Sequence, residues 1–89
     1  MSAEPAEAVV VRTLDLRGVA CPLNYVKVRV ALDRLLTGEA LEVYLDHGEP
    51  EENVPRSCDE DGFPVLAVGA AEGPTDGGAC VRLVVTIPH

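Results

Sequence analysis

The sequence predicts an α/β (α+β) fold, a two-layer sandwich in which two helices cover one face of a four-stranded mixed sheet. Three observations predict it. Runs of branched apolar residues alternate with two segments of helical character, the first two runs are separated by a helix-length segment, and the last two are joined by a glycine-rich loop. The resulting order is β-α-β-α-β-β. With 89 residues, the chain can bury one hydrophobic core.

The first three predicted elements form a strand–helix–strand unit. Residues 9–16 are rich in valine and leucine and are predicted to form a strand. Residues 23–36 are predicted to form a helix, because apolar residues recur there at helical spacing before Thr37-Gly38 ends the pattern. Residues 41–45 alternate apolar and other residues and give a second strand. The helical face expected to pack on the sheet contains Val28, Ala31, Leu32, Leu35 and Leu36.

The second half of the chain predicts one more helix and a hairpin. Residues 49–52 combine acidic side chains with an early proline, which is typical of a helix start. Pro55 is predicted to kink or restart this helix before Asp61-Gly62 ends it, and we expect the helix to be short and irregular. Residues 65–68 and 81–87 are predicted to be strands of a terminal hairpin, joined through the loop at 73–78.

Composition narrows the classes of function. Residues 1–8 are expected to be a flexible acidic tail, and residues 9–89 a single domain. The net charge of −8 argues against direct binding of nucleic acid, which needs clusters of basic residues. No stretch resembles a signal peptide or is apolar enough to span a membrane, so we expect a cytoplasmic protein without a membrane partner.

The chain contains three cysteines, an odd number, and no Cys-x-x-Cys pair. We therefore expect free thiols rather than a disulfide framework. Cys21, Cys58, Cys80 and His47 have no common zinc-ligand spacing, so no metal is expected. Cys58 and Cys80 are expected to be buried and structural, although Cys58 could act as a resolving thiol if it packs near Cys21.

Cys21 is the candidate reactive residue. Pro22 is predicted to occupy the first position of the first helix, since its missing N–H has no partner there in any case. Cys21 would then be the N-cap, beside unpaired backbone N–H groups that favour a thiolate over a thiol. The alternative is a small buried apolar residue.

Five neighbours of Cys21 are candidates for supporting roles. Gly18, Pro22 and Asn24 are expected to support the helix start. Arg17 and His47 are possible site neighbours, because the carboxyl ends of parallel strands lie at one edge of a sheet. A Cys–His pair also activates the nucleophile of thiol hydrolases, which gives a further class of function. We nevertheless expect His47 to be solvated.

A second apolar stripe on the first helix contains Leu23, Val26 and Val30. We expect it to pack in the core against the second helix. The alternative is a docking surface beside Cys21.

Four groups of residues resemble one known family. The residues are Leu14-Asp15-Leu16-Arg17-Gly18, then Cys21-Pro22, then Leu32-x-x-Leu35-x-x-Gly38, and finally Asn53-Val54-Pro55 with Cys58 three residues later. In these motifs the chain resembles the TusA, or SirA-like, sulfur-carrier family, and the likeness covers nearly all of residues 9–89. The chain departs from the usual Cys-Pro-x-Pro motif of that family, because it has Cys21-Pro22-Leu23-Asn24.

The resemblance implies a sulfurtransferase. Cys21 would accept sulfane sulfur as a persulfide from a cysteine desulfurase or another sulfurtransferase, and would pass it to an acceptor protein in a relay. The pathway could serve thiolated tRNA, a molybdenum cofactor or sulfur metabolism, and no cofactor beyond the covalent sulfur is implied. The alternative is a non-catalytic binding or regulatory module of the same fold. An asparagine at position 24 could bond back to the capping residue or toward the sulfur.

Overall fold

A computed structural model describes residues 9–88 of the chain. The acidic tail predicted for residues 1–8 lies outside the described residues. The elements are, in chain order, β1 (Val9–Asp15), α1 (Leu23–Leu32), β2 (Glu39–Leu45), α2 (Glu49–Glu60), β3 (Val65–Glu72) and β4 (Ala79–Thr86). This is the predicted order, and the prediction of two helices on a four-stranded mixed sheet is confirmed.

The sheet has the strand order β1-β2-β4-β3. β1 and β2 are parallel, whereas β4 is antiparallel to both of its neighbours. β2 and β4 are therefore the central strands, and β1 and β3 are the edges. Leu45 at the end of β2 pairs with Val81 near the start of β4, so β4 begins at the end of the sheet where β1 and β2 finish.

The hydrophobic core lies between the sheet and the two helices. Alternate residues of β2 and β4 face the helices, because successive side chains of a strand point to opposite faces. One helical turn separates Val28 from Leu32 in α1, and Val54 from Cys58 in α2, and all four side chains are fully buried. The core residues supplied by the strands are Leu41, Val43, Leu45, Val81, Leu83 and Val85.

The first helix is shorter than predicted. α1 ends at Leu32, and the chain continues in turns in which Arg34 N–H donates to Ala31 O and Leu35 N–H donates to Leu32 O, both at 3.1 Å. Leu35 is buried, whereas Leu36 is exposed. The predicted end of the helix at Leu36 was therefore wrong. The chain leaves the helix after Leu32, but the turns that follow still bury Leu35 in the core, so the apolar spacing continues past the end of the helix.

The second helix begins and ends where predicted, and it is not interrupted at Pro55. α2 has 12 residues and contains Pro55 in its interior. Proline lacks the N–H that would donate to the carbonyl of Glu51. The helix continues past this position because Val54 and Cys58, on either side of it, are fully buried in the core. The predicted end before Asp61-Gly62 is confirmed, whereas the expectation of a short and irregular helix was wrong.

The strands are also longer than several of the predicted runs. β2 begins at Glu39, β3 extends to Glu72 and β4 begins at Ala79. The added residues of β3 and β4 pair with each other, for example Glu72 with Ala79. Hydrogen bonds between neighbouring strands thus extend each strand beyond the run that its side chains indicate.

A polar contact joins the two helices at one end. The Tyr25 hydroxyl of α1 donates to Asp61 Oδ2 at 2.6 Å and to Ser57 O at 3.2 Å. Arg29 forms an ion pair with the same Asp61 carboxylate at 3.3 Å, and its guanidinium lies over the ring of Phe63, 5.1 Å from the centroid. Burial is the main cause that raises the pKa of Tyr25, and the hydrogen bond with Asp61 adds to it. The tyrosine therefore stays neutral and remains a donor.

Candidate functional site

Three loops meet at one end of the sheet, next to the carboxyl ends of β1 and β2. They are the β1–α1 loop at residues 16–22, the β2–α2 loop at 46–48, and the hairpin loop at 73–78 that precedes β4. Leu16 N–H donates to Tyr44 O at 2.9 Å, so the first loop leaves the sheet beside the end of β2. The sequence predicted the first two loops at this end but not the hairpin loop.

Cys21 lies at this end of the sheet, exposed, in a turn immediately before α1. It is not the N-cap as predicted, because Pro22 occupies that position and α1 begins at Leu23. The shift is one residue: Val26 N–H donates to Pro22 O at 3.1 Å, which is the bond an N-cap carbonyl accepts. Because Cys21 is exposed, it is not the small buried apolar residue that was the alternative.

Two N–H groups in the first turn of α1 already donate hydrogen bonds to oxygens of the chain itself. Asn24 N–H donates to Ala20 O at 3.1 Å, and Tyr25 N–H donates to Asn24 Oδ1 at 2.7 Å. The Asn24 side chain is fully buried, and its Nδ2 has no hydrogen-bond partner among residues 9–88. The bond that Asn24 could make back to the capping residue or to the sulfur is therefore absent from the described residues, and its amide oxygen accepts from Tyr25 N–H within the first turn of α1 instead.

Arg17 ties the Cys21 loop to the hairpin loop. Its guanidinium donates from Nε and Nη2 to the two carboxylate oxygens of Asp15, at 2.8 and 2.7 Å, and from Nη1 to Asp76 Oδ1 at 2.7 Å. The hydrogen bond from Arg17 holds the pKa of Asp15 below its usual value, and bonds from Gly78 N–H and Arg17 lower the pKa of Asp76. A Cβ on Gly73 would collide with the Arg17 guanidinium. Arg17 is thus a structural clamp, with its charge directed at two carboxylates.

Gly18 is held by the loop that follows β2. Its N–H donates to Asp46 Oδ2 at 2.6 Å. Its φ of 82° lies in the left-handed region, where a side chain would be strained. This bond joins the β1–α1 and β2–α2 loops three residues before Cys21. Sequence reasoning missed Asp46 and Asp76, whose only signal was an aspartate beside turn residues at a strand end or in a glycine-rich loop.

His47 is exposed, and its Nδ1 lies 3.3 Å from Glu51 Oε1. The same carboxylate oxygen accepts from Gly48 N–H at 2.7 Å, which closes the start of α2. The imidazole therefore contacts the first turn of α2. None of the hydrogen bonds found among residues 9–88 joins it to Cys21.

The other two cysteines are fully buried. Burial raises the pKa of the Cys58 thiol to about 11. Both residues have the structural environment predicted for them, and Cys58 lacks the exposure and acidity of a resolving thiol. Among residues 9–88, no three His, Cys, Asp or Glu side chains are grouped so that they could hold a metal ion. Within the same residues, no helix is long and apolar enough to cross a membrane.

The second apolar stripe of α1 is not part of the core. Leu23, Val26 and Val30 are 52%, 50% and 52% exposed. The prediction that they pack against α2 was wrong, because α2 contacts α1 through Tyr25 and Arg29, which lie on another side of the helix. The stripe begins two residues after Cys21.

The fold and the site together define a class of protein, a small two-layer sandwich with one exposed cysteine at the start of a helix. Residues 12–81 match the model of the family described as sulfurtransferase TusA. The chain belongs to this family.

Curated relatives and a solved structure agree with this assignment. Three relatives carry the provisional name sulfur carrier protein. The one from Archaeoglobus fulgidus is 38% identical over 62% of this chain and 62% of its own length. Those from Thermotoga maritima and Methanocaldococcus jannaschii are 36% and 33% identical, over 71% and 72% of this chain and 80% and 85% of their own. The crystal structure of a SirA-like protein from Desulfitobacterium hafniense shares the fold, with a TM-score of 0.62, 19% identity and coverage of 88% of this chain and all of that one.

Proposed function

We propose that the protein is a sulfur carrier that holds sulfane sulfur as a persulfide on Cys21 and transfers it to an acceptor protein. The observation that carries the proposal is the contrast among the cysteines. Cys21 is exposed at the end of the sheet where three loops meet, whereas Cys58 and Cys80 are fully buried. Membership of the TusA family and the names of the relatives support the same role.

The proposed chemistry is two thiol–persulfide exchanges. In loading, the Cys21 thiolate attacks the terminal sulfur of a donor persulfide, R–S–SH. The new bond joins Cys21 Sγ to that sulfur, which keeps its proton, while the donor S–S bond breaks and R–S⁻ leaves. In unloading, an acceptor thiolate attacks the same terminal sulfur, and Cys21 leaves as a thiolate. Neither step needs an external oxidant or reductant.

The described residues suit a carrier that relies on its partners for catalysis. Cys21 lies one residue before Pro22, the N-cap of α1, and the N-terminal end of a helix favours negative charge. The clamp of Arg17 with Asp15 and Asp76 and the Gly18–Asp46 bond hold its loop in place. Exposure lets the sulfur enter the active site of a larger protein. We propose a cysteine desulfurase or another sulfurtransferase as the donor.

A transfer experiment separates this proposal from a binding module of the same fold. The protein is loaded with a cysteine desulfurase and [³⁵S]cysteine, separated from both by size exclusion, and mixed with a reduced rhodanese-type sulfurtransferase. We expect label on the wild type and on Cys58→Ala, its movement to the rhodanese-type protein, and no label on Cys21→Ala. Label that stays on the chain, or that appears equally on Cys21→Ala, would contradict the proposal.

A further inference from the structure

An apolar groove runs between α1 and β1, beside the Cys21 loop. Its volume is about 470 Å³. The exposed stripe Leu23, Val26 and Val30 forms its helical wall, and Arg12 and Leu14 of β1 line the other side. We refer to it as the α1–β1 groove. Leu23 lies two residues from Cys21, so one end of the groove reaches the candidate site.

The β1 side of the groove is a free sheet edge. Within residues 9–88, β1 pairs with β2 alone, and six of its seven residues are exposed. A free edge presents backbone N–H and C=O groups that can pair with another extended segment. Such a segment would lie about 4.8 Å from β1. Its alternate side chains would point to the helical side and enter the groove.

The charges of the groove favour an acidic occupant. The chain has 15 acidic and 7 basic residues. Three of the basic residues, Arg17, Arg29 and Arg82, form ion pairs with carboxylates. Arg12 and Lys27 both line the groove, and neither has an ion-pair partner among residues 9–88.

One carboxylate also lines the groove, that of Asp15, which is already paired with Arg17. The groove is therefore locally positive on a chain of net charge −8. A second copy of the chain seated here would bring Arg12 and Lys27 of two molecules together, which disfavours a dimer.

We propose that the α1–β1 groove docks an extended, acidic segment of a partner protein, which adds as a strand to the free edge of β1. Alternate apolar side chains of the segment contact Leu23, Val26 and Val30, and its carboxylates pair with Arg12 and Lys27. Docking places the partner beside Cys21. The inference rests on exposure and charge, so it stands or falls separately from the persulfide chemistry.

The probe is a blocked synthetic peptide of alternating valine and glutamate, about as long as the seven residues of β1. It is titrated into ¹⁵N-labelled protein and followed by amide NMR. We expect saturable shift changes in β1 and α1, slower amide exchange along β1, and a Kd of about 10⁻⁴ M that rises with salt. A matched peptide of valine and lysine should bind at least about tenfold more weakly.

Variants with matched controls locate the surface. Val26→Asp and Lys27→Glu should each weaken binding of the glutamate peptide about tenfold. Val68→Asp and Arg34→Glu should change it less than about twofold. Val68 is 51% exposed on the other edge strand, which matches Val26 at 50%. Arg34 is exposed, lies after α1 and does not line the groove.

Several results would overturn the inference. They are equal binding of the lysine peptide, shift changes in β3 instead of β1, no saturable change up to about 2 mM peptide, and equal weakening by Val68→Asp. A dimer that Val26→Asp dissociates would assign the groove to a second copy. Shifts in β1 caused by Glu4→Gln with Glu7→Gln, without peptide, would assign it to the first residues of this chain. Either assignment rejects the partner segment.

Discussion

At the scale of single residues, solvent access separates the three cysteines. Cys21 is exposed before α1, and Cys58 and Cys80 are fully buried. A thiol must be both accessible and ionised to react. Burial makes the Cys58 thiol inaccessible, and it also disfavours ionisation because it raises the pKa of that thiol to about 11.

We therefore predict that one thiol of the native protein reacts with a disulfide reagent such as dithionitrobenzoate at about pH 8. Cys21 should react at least about 100-fold faster than the buried pair, which should react at the rate of local unfolding. Counting released thiolate with and without denaturant measures this, with Cys21→Ala as the control. Two fast thiols in the native wild type would disprove the prediction.

The sequence predicted the position of Cys21 but not the hydrogen-bond partners of its neighbours. Cys21 and the helix start were predicted to within one position, because proline and the following apolar spacing are local signals. The role of Arg17 was not predicted, because its partner Asp76 lies 59 residues away in a loop whose place depends on the whole sheet. The partner of the Asn24 amide oxygen was not predicted, because a single residue type does not reveal whether its amide faces Tyr25 or Cys21.

At the level of the helices and strands, one polar side chain links α1 to the end of α2. The Tyr25 hydroxyl bridges α1 to Ser57 and Asp61 at the end of α2. The neighbouring Arg29 reaches the same carboxylate from an exposed position. Exposed ion pairs contribute little to stability, so the tyrosine is the main polar link between the helices.

Tyr25→Phe should lower the free energy of unfolding by about 1 kcal/mol, because it removes a hydrogen bond to a charged group without changing the packed ring. Urea unfolding followed by circular dichroism measures the change. A change smaller than about 0.3 kcal/mol would show that the hydroxyl does not couple α1 and α2.

Element types were more predictable than element lengths. All six elements and their order follow from apolar spacing and turn residues. The end of α1 was wrong because Leu35 is buried from a turn. The expectation that Pro55 would leave α2 short and irregular was wrong, because packing of Val54 and Cys58 outweighs the local cost of Pro55. Tertiary contacts decide both cases, and the local pattern does not contain them.

At the scale of the whole molecule, acidic side chains hold the three loops of the site together. Hydrogen bonds from Gly78 N–H and then from Arg17 lower the pKa of Asp76, whose ordinary value is 3.8. A carboxyl group with a lower pKa in the folded state stabilises the fold fully above its ordinary value. That stability is lost as the pH falls through the folded value. The loops should therefore loosen in acid.

We predict that Asp76→Asn is less stable than the wild type at about pH 7, and that this difference shrinks as the pH falls below the ordinary value of 3.8. Protonation in acid removes the charge that the substitution removes at neutral pH. Urea unfolding of both proteins at neutral and at acidic pH measures the difference. Asp59→Asn on the exposed end of α2 is the matched control. A difference that stays constant with pH would refute this role of the Asp76 charge.

The central claim is that Cys21 carries sulfur, and intact-protein mass spectrometry under non-reducing conditions tests it most directly. Wild type, Cys21→Ala and Cys58→Ala are each incubated with a cysteine desulfurase and cysteine. We predict a gain of one sulfur atom on wild type and Cys58→Ala, reversed by dithiothreitol, and no gain on Cys21→Ala. No gain on the wild type with several donors, or the same gain on Cys21→Ala, would contradict it.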